Sequence, residues 1–283
     1  MSPGDVWALA RQAVKAWKDD YAPSMGAALS YYTLFSIAPL LLIVIAVAGL
    51  VFGDAAVRGE LFAQLSGLMG PQGARAVEAL LQSADRPGAG AIAMITGTVT
   101  LLLGASAVFG ELQNALDRIW RAPVRKEDRG WLSLIRSRLL PFGMILAVAF
   151  VLMVSLVTSA VLAALGNWWA LDFAASFAVT TLLFGLIYKI IPRVRIRWRD
   201  VWTGAAVTAA LFALGKLLIG LYLGRSSVAS AFGAAGSLVA MMVWVYYSAQ
   251  IFLLGAEFTR ITSIHYSEAK HELRQNGRAT ASG

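Results

Sequence analysis

The chain has 283 residues, of which 58% are hydrophobic and 14% charged, and its mean hydropathy is +0.67. Soluble domains carry about 25% charged residues and under half apolar ones, which argues against an ordinary water-soluble enzyme. Disordered, collagen-like and coiled-coil chains are also excluded, since the 26 Gly and 8 Pro follow no period. The net charge of +8 leaves three readings, namely nucleic acid, anionic lipid or membrane sidedness, and the lack of Cys removes disulfides, thiolate-bound zinc and thiol catalysis.

Ser2-Pro3-Gly4-Asp5 has the signs of a helix start: a capping residue, Pro at the first helical position and an acid at the third. Val6, Ala10, Ala13 and Trp17 then share one face, while Arg11, Lys15 and Lys18 share another. Residues 1–27 therefore read as a cytoplasmic amphipathic helix, lying in the membrane interface or docked on the protein's own underside.

A helix crosses about 30 Å of hydrocarbon with roughly 20 apolar residues. Six stretches meet or approach that length, at 28–52, 90–110, 139–165, 173–191, 202–223 and 233–256. None shows the short alternating segments of a membrane β-barrel. The expected fold is all-α and polytopic: a six-span membrane domain over 28–262, followed by a polar cytoplasmic tail, 263–283, expected to be disordered. Ala46-Val47-Ala48 resembles a signal-peptidase site, but three acids precede the first apolar run, which is too long for a signal sequence, so it reads as a retained span. The short Gly166–Asp172 connection predicts that the third and fourth spans form an antiparallel hairpin.

Between the first two spans, Val57, Leu61, Leu65 and Leu68 recur at helical spacing, Gly70-Pro71 interrupts them, and Ala74, Val77, Leu81 and Ala84 resume. This predicts a helical hairpin over 54–89, lying on or dipping into the outer face. It would either cap the bundle or gate a central pathway.

Orientation follows from the basic residues. Of the 24 Lys and Arg, 19 fall in the N-terminal segment, 111–138, 189–201 and the C-terminal tail, whereas the opposite loops hold only Arg58, Arg75, Arg86 and Arg225. Both termini are therefore expected in the cytoplasm of a bacterial cell, with the chain multi-pass in the inner membrane.

Groups able to do chemistry are sparse. His265 and His271 lie in the polar tail, off the spacing of a helical metal pair, and no hydrolase elbow, phosphate-binding loop or zinc-protease motif is present. No catalytic, metal or cofactor site is expected, and the chain does not read as an enzyme. Ionisable and polar groups inside spans are then the default functional candidates. Lys216 lies within the fifth span, and either snorkels outward or faces a hydrated cavity. Glu257 closes the sixth span with Gln250 two turns before it, while Glu111 closes the second span and Asn114 follows. Tyr31 and Tyr32 precede Pro39 in the first span, where a kink beside hydroxyls suits either an internal cavity or helix packing. Together with Tyr247 these residues form the candidate lining of a polar route.

The most distinctive segment is Lys189–Asp200, where Arg193, Arg195, Arg197 and Arg199 alternate with apolar residues. In an extended strand all four would share one side, at the level of lipid head groups, each charge contributing about 1 kcal/mol near an anionic surface. The same arginines also serve as sidedness signals. Nothing beside them offers a stacking platform for bases, so nucleic acid is not an expected partner.

Several ordered motifs resemble the YihY/BrkB family of bacterial inner-membrane proteins. They are Ala27–Leu40, Phe109–Trp120, the Tyr188–Gly204 stretch with its arginines, and Gly233–Arg260, including Trp244–Gln250 and Gly255-Ala256-Glu257. The likeness runs from about residue 10 to 262. It implies six spans with cytoplasmic termini, links to serum resistance, and movement of lipid or lipopolysaccharide precursors. It also brings an older label, ribonuclease BN, which the absence of nuclease ligands in this sequence argues against. The expectation is a transporter or lipid flippase-like protein for an amphiphilic or anionic substrate. Its partners would be membrane lipids, with an anionic lipid or lipid-linked precursor as cargo and a homo-oligomer left open by Gly220-x-x-x-Gly224. The alternative is a non-transporting scaffold for envelope assembly.

Overall fold

The computed structural model describes residues 3–84, 107–123, 169–194, 196–225 and 236–281, and among these every regular element is a helix. In chain order they are α1 Pro3–Asp19, α2 Ala22–Phe52, α3 Asp54–Ala84, α4 over 107–119, α5 Trp169–Ile190, α6 Trp198–Arg225 and α7 Gly236–Ala281. The second expected span up to residue 106, the third span, Arg195 and the end of the expected outer hairpin lie outside the described residues.

Pro at the first position, Asp5 in the first turn and Lys18 in the last suit the termini of α1. It stops where Tyr21 takes the left-handed conformation, φ 58° and ψ 34°, and Pro23 opens α2. Leu9 and Ala13 form its buried face, continued by Asp20 just past its end, with Trp7 and Val14 exposed. The helix packs against α7. The expected 1–27 unit divides at residues 20–21.

Through its 31 residues α2 carries no charge and runs continuously past Pro39, for a length of about 46 Å. Ser36 donates to the Tyr32 and Thr33 carbonyls at 3.0 and 3.3 Å, so its hydroxyl does not serve the carbonyl that Pro39 frees. Gly53, at φ 82°, then reverses the chain, its N–H bonding Gly49 O at 2.8 Å. Only glycine adopts that conformation without strain.

The expected break at Gly70-Pro71 does not occur: α3 is one helix of 31 residues with Pro71 inside it. Leu65 and Ala76, on either side of the proline, are eleven residues apart, close to three helical turns. They stay on one face and pack in a shared core with Ile45 of α2 and Met241 and Val245 of α7. That burial offsets the bond lost at proline. The two-helix hairpin expected within 54–89 is therefore not formed over 54–84, where the single helix α3 packs against α2 and α7.

Three helices among the described residues are long and apolar enough to cross a membrane, over Phe173–Ile190, Trp198–Ile219 and Leu238–Tyr266. They coincide with the fourth, fifth and sixth expected spans, and Trp169–Asp172, read as loop, forms the first turn of α5. The tail expected to be disordered is helical to Ala281. Its Ser-Glu-Ala-Lys-His-Glu-Leu-Arg-Gln run is rich in good helix formers and extends a helix already packed, so no new nucleus is needed. A second core, around Leu29, Leu116, Tyr188, Val201 and Leu253, ties α2, α4, α5, α6 and α7 at one end. Lys18, Arg118, Arg121, Arg193, Arg197 and Arg260 border this end, which is the basic end of the bundle.

Candidate functional site

The corner between α1 and α2 places Asp20 inside the protein, 2% exposed. Arg121, itself left-handed at φ 51° just past α4, reaches Asp20 Oδ1 with Nη1 at 2.9 Å. One turn earlier, the Arg118 guanidinium lies 5.2 Å above the Tyr21 ring. These two contacts clip the corner to the end of α4.

Opposite Asp20, Glu257 of α7 is fully buried, and its Oε2 accepts from Arg260 Nε and Nη2 at 3.2 and 3.1 Å. Two turns before Glu257, Gln250 Nε2 reaches Pro23 O at 3.5 Å, and its amide presses against Gly26, where no Cβ would fit. Asp20 Oδ2, Glu257 Oε1, Gln250 Oε1 and the indole N–H groups of Trp17 and Trp120 are buried without hydrogen-bond partners among the described residues. Each such group costs about 1–3 kcal/mol if left unsatisfied. Five of them around one core mark it as a polar interior.

The arginine segment is not extended. Residues 191–194 bend, and α6 begins at Trp198, so Arg199 sits in a helical turn. Arg193 is tied to α4: its backbone N–H donates to Asp117 Oδ1 at 2.8 Å, Nε lies 3.4 Å from Asp117 Oδ2, and Nη2 donates to Gln113 Oε1 at 3.2 Å. Gln113 also donates to Ile191 O at 3.1 Å. Arg197 and Arg199 are exposed beside the stacked, exposed Trp198 and Trp202, so the expectation that no aromatic platform lies beside these arginines does not hold. Lys189 donates to Ile196 O and lies over the Trp198 ring.

Lys216 lines a cleft of about 60 Å³ between α5 and α6, together with Phe173, Phe177, Phe212, Ser176 and Thr180. No carboxylate pairs with it among the described residues. Along α6 it is about 25 Å from Arg199, a distance close to the roughly 30 Å thickness of a hydrocarbon core.

The other candidates do not converge. Tyr31 and Tyr32 are exposed and meet edge-on, as do Tyr31 and Phe35. Ser30 beside them is buried and donates to Met242 O at 2.9 Å, so the tyrosines point away from α7. Glu111 is half-buried and Asn114 exposed on α4, Tyr247 is half-buried against Gly215, and Pro39 lies within α2. Gln250 and Glu257, two turns apart on α7, share a face. Asp20 and Arg121 are site residues that sequence reasoning missed. The signal was there, since Asp20 falls seven residues after Ala13 and eleven after Leu9, on the buried face of α1.

Comparison with known proteins gives a consistent picture. A membrane protein of Alkalilimnicola ehrlichii named UPF0761 is 28% identical over 261 residues, 89% of this chain and 57% of that protein. The namesakes of Pseudoalteromonas atlantica and Cronobacter sakazakii are 26% and 27% identical, with 82% and 89% of their lengths covered. The chain thus spans little more than half of some relatives and most of others. No solved structure matches it. The family model described as Virulence factor BrkB matches residues 13–280, and the chain accordingly belongs to the YihY/BrkB family of membrane proteins.

Proposed function

We propose that this chain is a lipid flippase-like transporter that moves an anionic amphiphile across the bacterial inner membrane. The observation that carries the reading is Lys216, an intramembrane cation without a carboxylate partner among the described residues, set in a cleft of phenylalanines and hydroxyls. A lone charge at that depth is expensive unless it meets an anion or water. An amphiphile supplies both halves of the match: a phosphate or carboxylate for the ammonium, and an acyl chain for Phe173, Phe177 and Phe212. At the other end of α6, the exposed Arg197 and Arg199 offer a second attraction for the same head group.

In this reading the basic end faces the cytoplasm, together with both termini. Support comes from the positive-inside bias and from the docking of α1, the end of α4 and the α5–α6 connection at that one end. No step in the proposed cycle makes or breaks a covalent bond, and no nucleic acid takes part.

The test is reconstitution in proteoliposomes with a fluorescent anionic phospholipid and a zwitterionic control. Folded protein should speed equilibration of the anionic lipid between leaflets over protein-free vesicles, and Lys216→Gln should slow it several-fold. Equal rates with and without folded protein would sink the proposal.

A further inference from the structure

Helix α1 has two faces of different character. Leu9 and Ala13 are buried in the bundle, whereas Trp7, Val14 and, just past the helix, Tyr21 are 74%, 44% and 63% exposed. These three recur every seventh residue, or about two helical turns, so Trp7 and Val14 stand on one line and Tyr21 follows where the chain turns. Arg11 and Lys18 fall between them at helical spacing and Lys15 flanks them, all three exposed. At about 100° per residue Asp5 and Asp19 fall outside this stripe. Among the described residues no carboxylate pairs with Arg11, Lys15 or Lys18.

Chain length sets the level of the stripe. The first expected span begins at residue 28, and residues 22–27 of α2 separate it from the corner at Tyr21, a rise of at most about 9 Å. Head groups extend roughly 5–8 Å on each side of the hydrocarbon core. The corner therefore sits at the edge of that layer, with the Arg118 guanidinium over the Tyr21 ring. A second copy of the chain is the poorer occupant of the stripe. The spacing 7, 11, 14, 18 is that of a coiled-coil seam, but two such seams would set Arg11 and Lys18 against like charges. An anionic lipid surface matches both halves, its head groups taking the cations and its acyl boundary the indole and the valine.

We propose that α1 is a membrane-surface helix, laying its Trp7–Val14 stripe on anionic lipid head groups while its opposite face stays packed against α7. The basic end of the bundle is thus held to charged lipid along about 17 Å, from Trp7 to Lys18. Through α1 the charge of the leaflet acts on the corner that Arg118 and Arg121 clip to α4. The contact is separate from the Lys216 cleft and does not depend on what the protein moves.

The chain has no Cys, so a single introduced cysteine reports one position. Val14→Cys carries a fluorescent label in the stripe, and Gln12→Cys carries it at an exposed position about 160° away around the helix. The full chain is held in nanodiscs of phosphatidylcholine, alone or mixed equally with phosphatidylglycerol, with a phospholipid bearing a nitroxide on its head group as quencher. In the anionic discs the label at Val14 should be quenched several-fold more than the label at Gln12. Changing Arg11, Lys15 and Lys18 together to Gln should remove most of that difference. All the replaced side chains are exposed, so the variants are expected to fold. Where the triple variant fails to fold, the two disc types still decide, since quenching at Val14 should fall several-fold in phosphatidylcholine alone. Equal quenching at the two positions in anionic discs overturns the proposal, as does quenching at Val14 that ignores lipid charge. Disulfide formation between copies by Val14→Cys, with no quenching by lipid, would mark a protein interface and overturns it too. Failure of lipid transport leaves these readings unaffected, so the two proposals stand or fall separately.

Discussion

Gly204 on α6 lies directly against the side chain of Thr259 on α7, and one turn along each helix the pairing is reversed, with Thr208 meeting Gly255. Each threonine hydroxyl donates to its own helix, Thr208 to Gly204 O and Thr259 to Gly255 O, both at 2.7 Å. The two antiparallel helices therefore present a small and a satisfied polar residue to each other twice. Close approach of this kind is how membrane helices associate where burying apolar surface adds little.

Gly204→Ala places a methyl group inside the Thr259 side chain, whose branched Cβ cannot swing away. Overpacking of this kind costs about 1–3 kcal/mol. On α3, a Cβ at Gly59 meets nothing within 4 Å, so Gly59→Ala should be neutral or stabilising by up to about 1 kcal/mol. Thermal unfolding in detergent should separate the two variants clearly, and equal midpoints would contradict the interlocked packing.

Helix placement was legible wherever apolar runs were long, because burying backbone in lipid leaves the chain little alternative. The fourth, fifth and sixth spans fall where the runs do. Pro71 misled because local chemistry marks it as a stop, while the core it flanks, with Leu65, Ala76 and Met241, is assembled from three helices and is invisible locally. The arginine segment misled in the opposite way. Alternation suggested a strand, but the carboxylate that holds Arg193 lies 76 residues away, on α4. Glu257 was visible as an acid at the end of a span, whereas the burial of Asp20 depends on the corner between α1 and α2, which no local pattern shows.

Removing the Arg121 side chain should expose what holds Asp20. Arg121→Met leaves a buried carboxylate with one fewer donor, for a loss of about 1–3 kcal/mol. Asp20→Asn needs that donor less, so in the double variant the Arg121 change should cost distinctly less. A double-mutant cycle on unfolding free energies measures the coupling, and additivity would mean the 2.9 Å contact contributes nothing.

Tyr188 is fully buried, with its hydroxyl donating to Phe252 O at 2.7 Å and lying 3.1 Å from Thr208 Oγ1. Its ring packs against Phe184 and Phe252. Tyr188→Phe keeps the ring and removes only the link from α5 to α6 and α7. The loss should be about 1 kcal/mol, far below the 3–5 kcal/mol for truncating the whole aromatic side chain in Tyr188→Ala. Comparable losses in the two variants would shift the weight from packing to the hydroxyl.

The arginines of the α5–α6 connection should divide by role. Arg193→Gln loses a pair whose arginine is largely exposed, an effect of under about 1 kcal/mol. Asp117→Ala should cost more, because it also strips the acceptor from the Arg193 backbone N–H. Arg197 and Arg199 are exposed and held by neither partner, so Arg197→Gln with Arg199→Gln should leave the unfolding temperature unchanged. Each neutralised charge near an anionic surface is worth about 1 kcal/mol, so the double variant should bind vesicles containing anionic lipid roughly thirty-fold more weakly. Co-flotation of nanodisc-held protein with such vesicles at two salt concentrations reads that loss, and high salt should shrink the difference. Equal binding by wild type and the double variant would leave these two arginines as signals of membrane sidedness alone.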